Sequence, residues 1–105
     1  MPKFVLAYHG GPTTMTAEEG QQHMQNWKAW MDSLGDAVVD RGVPVGKSKT
    51  VSTDGVTDDG GSNPLSGFTI LQADDMDGAL EMVIGSPHVN VGGTIEIAPA
   101  MDMPM

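Results

Sequence analysis

The sequence predicts a single α+β domain. Two observations support this class: short apolar segments alternate with two helical segments, and their order along the chain is strand, helix, strand, strand, helix, strand. The chain has 105 residues, which is the size of one domain with one hydrophobic core. Residues 1–105 are therefore expected to form one folding unit.

The first third of the chain predicts a strand followed by a long helix. The apolar run FVLAYH at residues 4–9 is short and stops at a Gly-Gly-Pro sequence, which favours a strand. Thr16 and Glu19 have the spacing of a capping box, so a helix is predicted for Ala17–Leu34. Gly35 is well placed as the left-handed residue that ends this helix.

The rest of the chain predicts three further strands and one helix. DAVVD at residues 36–40 predicts the second strand, and FTILQA at 68–73 the third. The segment 42–67 between them is rich in Gly, Ser, Thr, Asp and Pro, which predicts an excursion or a long hairpin connection. MDGALEMVI at 76–84 predicts a helix with an aspartate cap, and TIEIAPA at 94–100 alternates as a strand does.

This order of elements is typical of the ferredoxin-like βαββαβ arrangement, an antiparallel four-stranded sheet with two helices on one face. In the first strand Phe4, Leu6 and Tyr8 alternate with Val5 and Ala7, so both faces carry apolar groups. Two helices can cover only one face, and a large bare apolar face favours association. A homodimer that packs sheet to sheet is predicted; the alternative is a monomer with a modestly apolar open face.

The composition restricts the classes of partner. Fourteen acidic residues against five basic ones give a formal charge of -9. Nucleic acids and anionic membranes are bound through Lys and Arg, so neither is expected as a partner. There is no Cys for disulfides or Cys-based zinc sites. The first apolar run is too short for a signal core or a membrane span, so we expect a cytoplasmic protein.

Six motifs are spread over nearly the whole chain: FVLAY, His23-Met24 followed by two tryptophans, LGD, DGVTDDGGSNPLSGFTILQAD, SPH and IEIAPAMDMP. Together they resemble the YCII-related family and its relatives named for a DGPF motif. Asp54-Gly55-Val56-Thr57 stands where those relatives have Asp-Gly-Pro-Phe. The resemblance implies a dimeric α+β barrel, in which two ferredoxin-like sheets face each other.

The resemblance also implies an active site with a histidine of the first helix and the aspartate of an Asp-Pro step after the second helix. His23 matches the histidine, whereas Ser86-Pro87-His88 stands where the Asp-Pro step would be. From the residues alone, His23 lies at the edge of an apolar stripe of Met24, Trp27, Met31 and Leu34. A histidine there suits a general base with a pKa near neutrality; the alternative is a half-buried structural histidine bonded to a backbone carbonyl.

Other residues complete the candidate site. Four side chains could orient His23 through a hydrogen bond, and these are Asp36, Asp40, Ser86 and His88. Three are candidates for substrate binding, namely Trp27, Trp30 and His9. No two of the three histidines have the spacing of a helical ligand pair, so neither a metal nor another cofactor is expected.

Three functions stay open on this reasoning, and whether the protein is an enzyme is one of the open questions. The first is a cofactor-free small-molecule enzyme that uses His23 as general acid and base in a cleft near the dimer interface. The second is a non-catalytic small-ligand-binding or accessory dimeric module with the same cleft. The third is a structural dimer without a ligand. The identity of the small molecule is not encoded in any motif of the chain.

Overall fold

The computed structural model describes residues 1–12 and 14–102, so the last two residues of the IEIAPAMDMP motif lie outside the described part. The strands are β1 (Lys3–His9), β2 (Val38–Asp40), β3 (Thr50–Ser52), β4 (Gly55–Thr57), β5 (Leu65–Gln72) and β6 (Thr94–Pro99). The helices are α1 (Ala17–Leu34), α2 (Met76–Ile84) and α3 (Pro87–Asn90), with a 3-10 turn at Gly35–Ala37.

Four of the strands form one antiparallel sheet in the order β2-β5-β1-β6. These are the four strands that the sequence predicts, and the α+β class with a four-stranded antiparallel sheet is confirmed. The arrangement is compatible with a ferredoxin-like fold. Within residues 1–12 and 14–102, no helix combines the length and apolar character needed to cross a membrane.

Helix α1 forms as its sequence predicts. The Thr16 hydroxyl accepts from the Glu19 backbone N–H, and the Glu19 carboxylate accepts from the Thr16 N–H, which completes the capping box. Gly35 ends the helix with a positive φ of 55°. One prediction was wrong: Met24 is 53% exposed rather than part of the buried stripe, because α1 borders a cavity at that level instead of packed core.

The core lies between one face of the sheet and the helices. Phe4, Leu6 and Leu71 point to this face and pack with Met31 of α1 and Val83 of α2. Burying each such side chain stabilises the fold by about 1.5–3 kcal/mol. The predicted alternation of β1 is confirmed, and no helix of residues 1–12 and 14–102 contributes to a core cluster on the opposite face.

That opposite face, called the open face below, carries Val5 and Ala7 of β1 opposite Ile70 and Phe68 of β5. Val5 is 37% exposed, whereas its neighbours Phe4 and Leu6 are buried. The described part of the chain measures only 18 Å in its thinnest direction, which is the thickness of one helix layer on one sheet.

The long connection between β2 and β5 contains a hairpin, which is one of the two forms expected for it. Strands β3 and β4 pair only with each other in the described structure, with Val51 opposite Val56. The radius of gyration is 15.0 Å, against about 13 Å for a compact domain of this size, as expected for an arm that extends from the body.

Helix α3 was not predicted. Pro87 stops α2 from continuing, but its fixed φ also suits the first position of a new helix. The Ser86 hydroxyl caps this helix by accepting from the His88 backbone N–H at 3.2 Å. The SPH sequence therefore builds a short helix that fixes the position of His88.

Candidate functional site

A cavity of about 210 Å³ lies between the start of α1, the end of β1 and α3; it is called the histidine pocket below. Its walls include four aromatic side chains from the helix side of the sheet, together with Met15 and Met24. They are Tyr8, His23, Trp27 and His88; Phe68 also borders the cavity, although strand alternation places its side chain on the open face. In the described part of the chain no Asp, Glu, Lys or Arg lines the pocket. It is therefore an apolar space with a few polar groups, as is usual for small-molecule sites.

His88 is held in a defined orientation. Its Nε2 lies 2.9 Å from the backbone carbonyl oxygen of His9, and a carbonyl can only accept, so Nε2 carries the proton. In the neutral ring Nδ1 then carries a lone pair. A Cβ at position 93 would overlap the His88 ring, so Gly93 is the residue that leaves room for it.

Tyr8 is fixed next to His88 by a chain of two hydrogen bonds. The Thr69 hydroxyl donates to the carbonyl oxygen of Arg41 at 3.0 Å, so the Tyr8 hydroxyl must donate to Thr69 at 2.7 Å. The rings of Tyr8 and His88 meet edge to face with centroids 5.3 Å apart. Burial raises the pKa of the Tyr8 phenol, while the side chains of Thr69 and Trp27 act more weakly in the opposite direction. Tyr8 is therefore a neutral phenol at neutral pH.

His23 reaches the pocket from the second turn of α1 and is partly buried. Burial lowers its pKa below the ordinary value of 6.5, and positive charge on the neighbouring His88 lowers the pKa further. Among residues 1–12 and 14–102, no group forms a hydrogen bond to its ring. His23 is therefore a neutral imidazole at pH 7, with a lone pair available to a bound molecule.

The two carboxylates considered as partners of His23 lie elsewhere. Asp36 follows α1 and lines a second cleft together with Gln72 and Glu81. Asp40 accepts from the Gly42 backbone N–H at 2.8 Å and so stabilises the turn after β2. Of the four candidate partners, His88 is the one that lines the pocket together with His23. Ser86 does not line the pocket, but its hydroxyl caps α3 and so positions His88.

The three candidates for substrate binding are separated by the fold. Trp27 lines the histidine pocket. Trp30 is buried in the core, and its Nε1 donates to the Met82 carbonyl oxygen at 3.0 Å. The His9 side chain bonds to the Asn63 carbonyl oxygen at 2.9 Å, away from the pocket lining, while its own backbone carbonyl anchors His88.

Sequence reasoning missed two residues that shape the pocket, Tyr8 and Thr69. Tyr8 was placed correctly on the helix-facing side of β1, but its role in the pocket was not recognised. Thr69 could have indicated the pocket from the sequence. Alternation places this polar residue on the same face of its strand as the apolar Leu71 and Ala73, and that face is buried. Buried polar side chains require partners, and its partners are Tyr8 and Arg41.

Among the residues that the structure describes, no group of three His, Asp or Glu side chains is arranged to hold a metal ion. No protein-family model matches the chain, and a search of curated proteins finds no significant relative. The chemistry of the histidine pocket is the feature that indicates what the site can do. Its aromatic walls can stack on a planar ring, and His23 can take a proton from a molecule held there.

Proposed function

We propose that this protein binds a small ring-containing molecule in the histidine pocket and that His23 acts on it as general acid and base without a cofactor. The observation that carries the proposal is that two imidazoles and a buried phenol share one cavity of about 210 Å³. A cavity of roughly 150 Å³ holds one benzene ring, so a substituted ring would fit this one.

The chemistry follows from the state of each group. His23 is neutral at pH 7 because its pKa is lowered, so it can accept a proton from a bound acid and return it. His88 and Tyr8 are pinned by the hydrogen bonds to His9 and Thr69, so they hold the molecule in place. A positioned acid–base group accelerates a reaction by about 10²–10⁴-fold.

A second candidate function is a non-catalytic small-ligand-binding or accessory module. A specific observation favours it: no carboxylate among the described residues bonds to the His23 ring. In many acid–base sites an acceptor fixes the tautomer and orientation of the histidine. Without such an acceptor the same pocket can bind a molecule and leave it unchanged.

The experiment that separates the two functions needs no knowledge of the natural substrate. Small cyclic ketones and lactones are incubated with the protein in D₂O, and exchange of their acidic C–H protons is followed by proton NMR. If His23 is a general base, the protein accelerates exchange for at least one compound, and His23→Gln lowers that rate by about a hundredfold. The matched control Asp36→Asn, in the second cleft, keeps the rate of the unaltered protein.

Each outcome of this experiment has a defined meaning. Binding of a compound without exchange supports the non-catalytic module and contradicts the catalytic role of His23. A failure of all the compounds to bind contradicts both functions. An equal loss of rate in His23→Gln and Asp36→Asn contradicts the assignment of the site to the histidine pocket.

We also propose that the chain is a divergent relative of the YCII-related and DGPF proteins. The six motifs support this relationship, and so does the compatibility of the sheet with a ferredoxin-like fold. The SPH step differs from the Asp-Pro step of those relatives but occupies a comparable role, because it brings His88 to the cavity that contains His23. A histidine pair would thus replace a histidine–aspartate pair.

The proposed dimer joins the open faces of two copies. Its support is the set of side chains that no helix covers: Val5, Ala7, Phe68 and Ile70. Val5→Asp should split the dimer, because an unpaired charge buried there costs several kcal/mol. Val51→Asp, on the exposed hairpin arm, is the matched control that should leave the dimer intact. An 11 kDa species in sedimentation of the unaltered protein at micromolar concentration would contradict the dimer.

A further inference from the structure

We infer that the histidine pocket selects an uncharged ring molecule that carries an O–H or N–H donor, and that Nδ1 of His88 is the atom that accepts this donor. The inference rests on the proposed function, because it requires a ligand in the pocket. Beyond that function, the chemical class of the ligand and the residue that determines specificity, His88, are assigned.

The His88 ring has one nitrogen, Nδ1, without a hydrogen-bond partner among the described residues. Its Nε2 proton is committed to the His9 carbonyl oxygen, so in the neutral ring Nδ1 can only accept. Nδ1 lies on the side of Gly11, which lines the pocket, and no other group among the described residues bonds to it. The ring cannot turn away freely, because Gly93 packs directly beneath it. A fixed lone pair therefore faces the ligand space.

Tyr8 forms the same wall as His88. Its hydroxyl proton is donated to Thr69, whose own proton is donated to the Arg41 carbonyl oxygen. The phenol oxygen therefore has no proton to offer to the pocket, and the Trp27 side chain lies close enough to it to lower the phenol pKa. The Ser66 hydroxyl lies near this wall but is shielded from solvent. The wall made by His88 and Tyr8 thus presents lone pairs, foremost that of His88 Nδ1, and no side-chain donor.

The histidine pocket offers no counter-charge to an ionic ligand among its described lining residues. An anion would face these lone pairs without a Lys or Arg among the described lining residues, in a chain of net charge -9. A cation would lack a carboxylate as counter-charge, and burying an unpaired charge is costly. A neutral molecule with one donor can form a hydrogen bond to Nδ1 of His88 while its ring packs against the apolar walls. This is the combination that the pocket can bind with the fewest unmet polar groups.

The experiment compares four ring compounds on the full chain by NMR titration: phenol, its methyl ether anisole, benzoate and benzylammonium. Phenol and anisole share the ring and the oxygen and differ in the donor. We expect phenol to bind about tenfold more tightly than anisole, and both charged compounds to bind more weakly than phenol. In His88→Phe, which keeps a ring of similar size, the ratio of phenol to anisole affinity should fall to about one. His88→Gln, which keeps a donor and an acceptor, should retain part of the preference.

A second measurement needs no variant and no ligand. The ring nitrogens of His88 are observed by ¹⁵N NMR in the free protein, and the proton is expected on Nε2, with Nδ1 unprotonated. A proton on Nδ1 of the neutral ring, anisole binding as tightly as phenol, or a charged compound binding more tightly than phenol would each overturn this inference while leaving ligand binding intact. Binding of none of the four compounds would contradict the proposed function and this inference together.

Discussion

Two clefts in the described part of the molecule lie at opposite ends of α1, and they differ in the side chains that line them and in their charge. The histidine pocket at the start of the helix is lined by rings and methionines, with no charged side chain among the described residues except the ionisable histidines. The second cleft, at the end of the helix, is lined by four carboxylates. These are Asp36, Asp74, Asp75 and Glu81, and all four residues are exposed.

The length of α1 explains why the two clefts cannot cooperate. His23 and Leu34 are separated by 11 helical residues, which at 1.5 Å per residue is about 16 Å. Asp36 lies beyond that end, so its carboxylate cannot orient the His23 ring. The carboxylates of the second cleft are exposed to water, which solvates their charge. The described lining of the histidine pocket contains no Asp, Glu, Lys or Arg. Of the two clefts, the histidine pocket is the one lined by imidazoles, the side chains whose unperturbed charge change falls between pH 5 and 8.

The two tryptophans of α1 give the largest contrast between a residue of the pocket and a residue of the core. Trp30→Ala should lower the free energy of unfolding by about 3–5 kcal/mol, because it empties core volume and leaves the Met82 carbonyl without its donor. Trp27→Ala should lower it much less, since Trp27 is only partly buried, but should weaken binding of ring compounds. Thermal or urea unfolding with an NMR titration measures both effects; equal stability losses would contradict the contrast.

Ser86 offers a smaller test of how the pocket is held together. Ser86→Ala removes the cap of α3 and should cost about 1 kcal/mol in unfolding free energy. Because the cap also positions His88, the variant should bind phenol more weakly, although Ser86 does not line the pocket. Asp75→Ala is the matched control, since it removes the cap of α2 and Asp75 lines the second cleft instead of the histidine pocket. Loss of stability without any change in phenol affinity would show that Ser86 has a structural role only.

Most of the fold follows from local patterns, and most of the site does not. The capping box of Thr16 and Glu19 and the positive φ of Gly35 set the bounds of α1 without help from distant residues. The alternation of β1 likewise placed Phe4 and Leu6 on one face and Val5 and Ala7 on the other, and the structure buries the first pair. Such features depend on neighbours within a few positions, which a single sequence displays.

The pocket could not be assembled in the same way, because its groups meet through contacts of long sequence separation. His88 is positioned by the carbonyl of His9, 79 residues away, and Tyr8 by Thr69, 61 residues away. A backbone carbonyl has no sequence signature at all. The short α3 was also missed, because a proline that blocks the continuation of one helix equally suits the first position of the next. Asp36 was a reasonable candidate by composition, but helix length separates it from His23.

The smallest expected effect is the pH dependence that His23 contributes. Its pKa in the folded protein is lowered, so the unfolded chain binds a proton more readily than the native state does. This contribution to stability is therefore complete above 6.5, the ordinary pKa, and is lost as the pH falls from that value through the lowered pKa of the folded protein. His23→Gln should depend less steeply on pH between about 7.5 and 5.5 in urea unfolding. A steeper dependence in the variant would contradict the lowered pKa.

The most direct measurement is a map of NMR shift changes as phenol is added to the unaltered protein. The histidine pocket is expected to respond, with the largest changes at the rings of His23 and His88 and at the indole of Trp27. The second cleft, reported by the backbone signals of Asp36 and Glu81, should not change. Changes centred on the second cleft, or changes spread evenly over the molecule, would contradict the assignment of ligand binding to the histidine pocket.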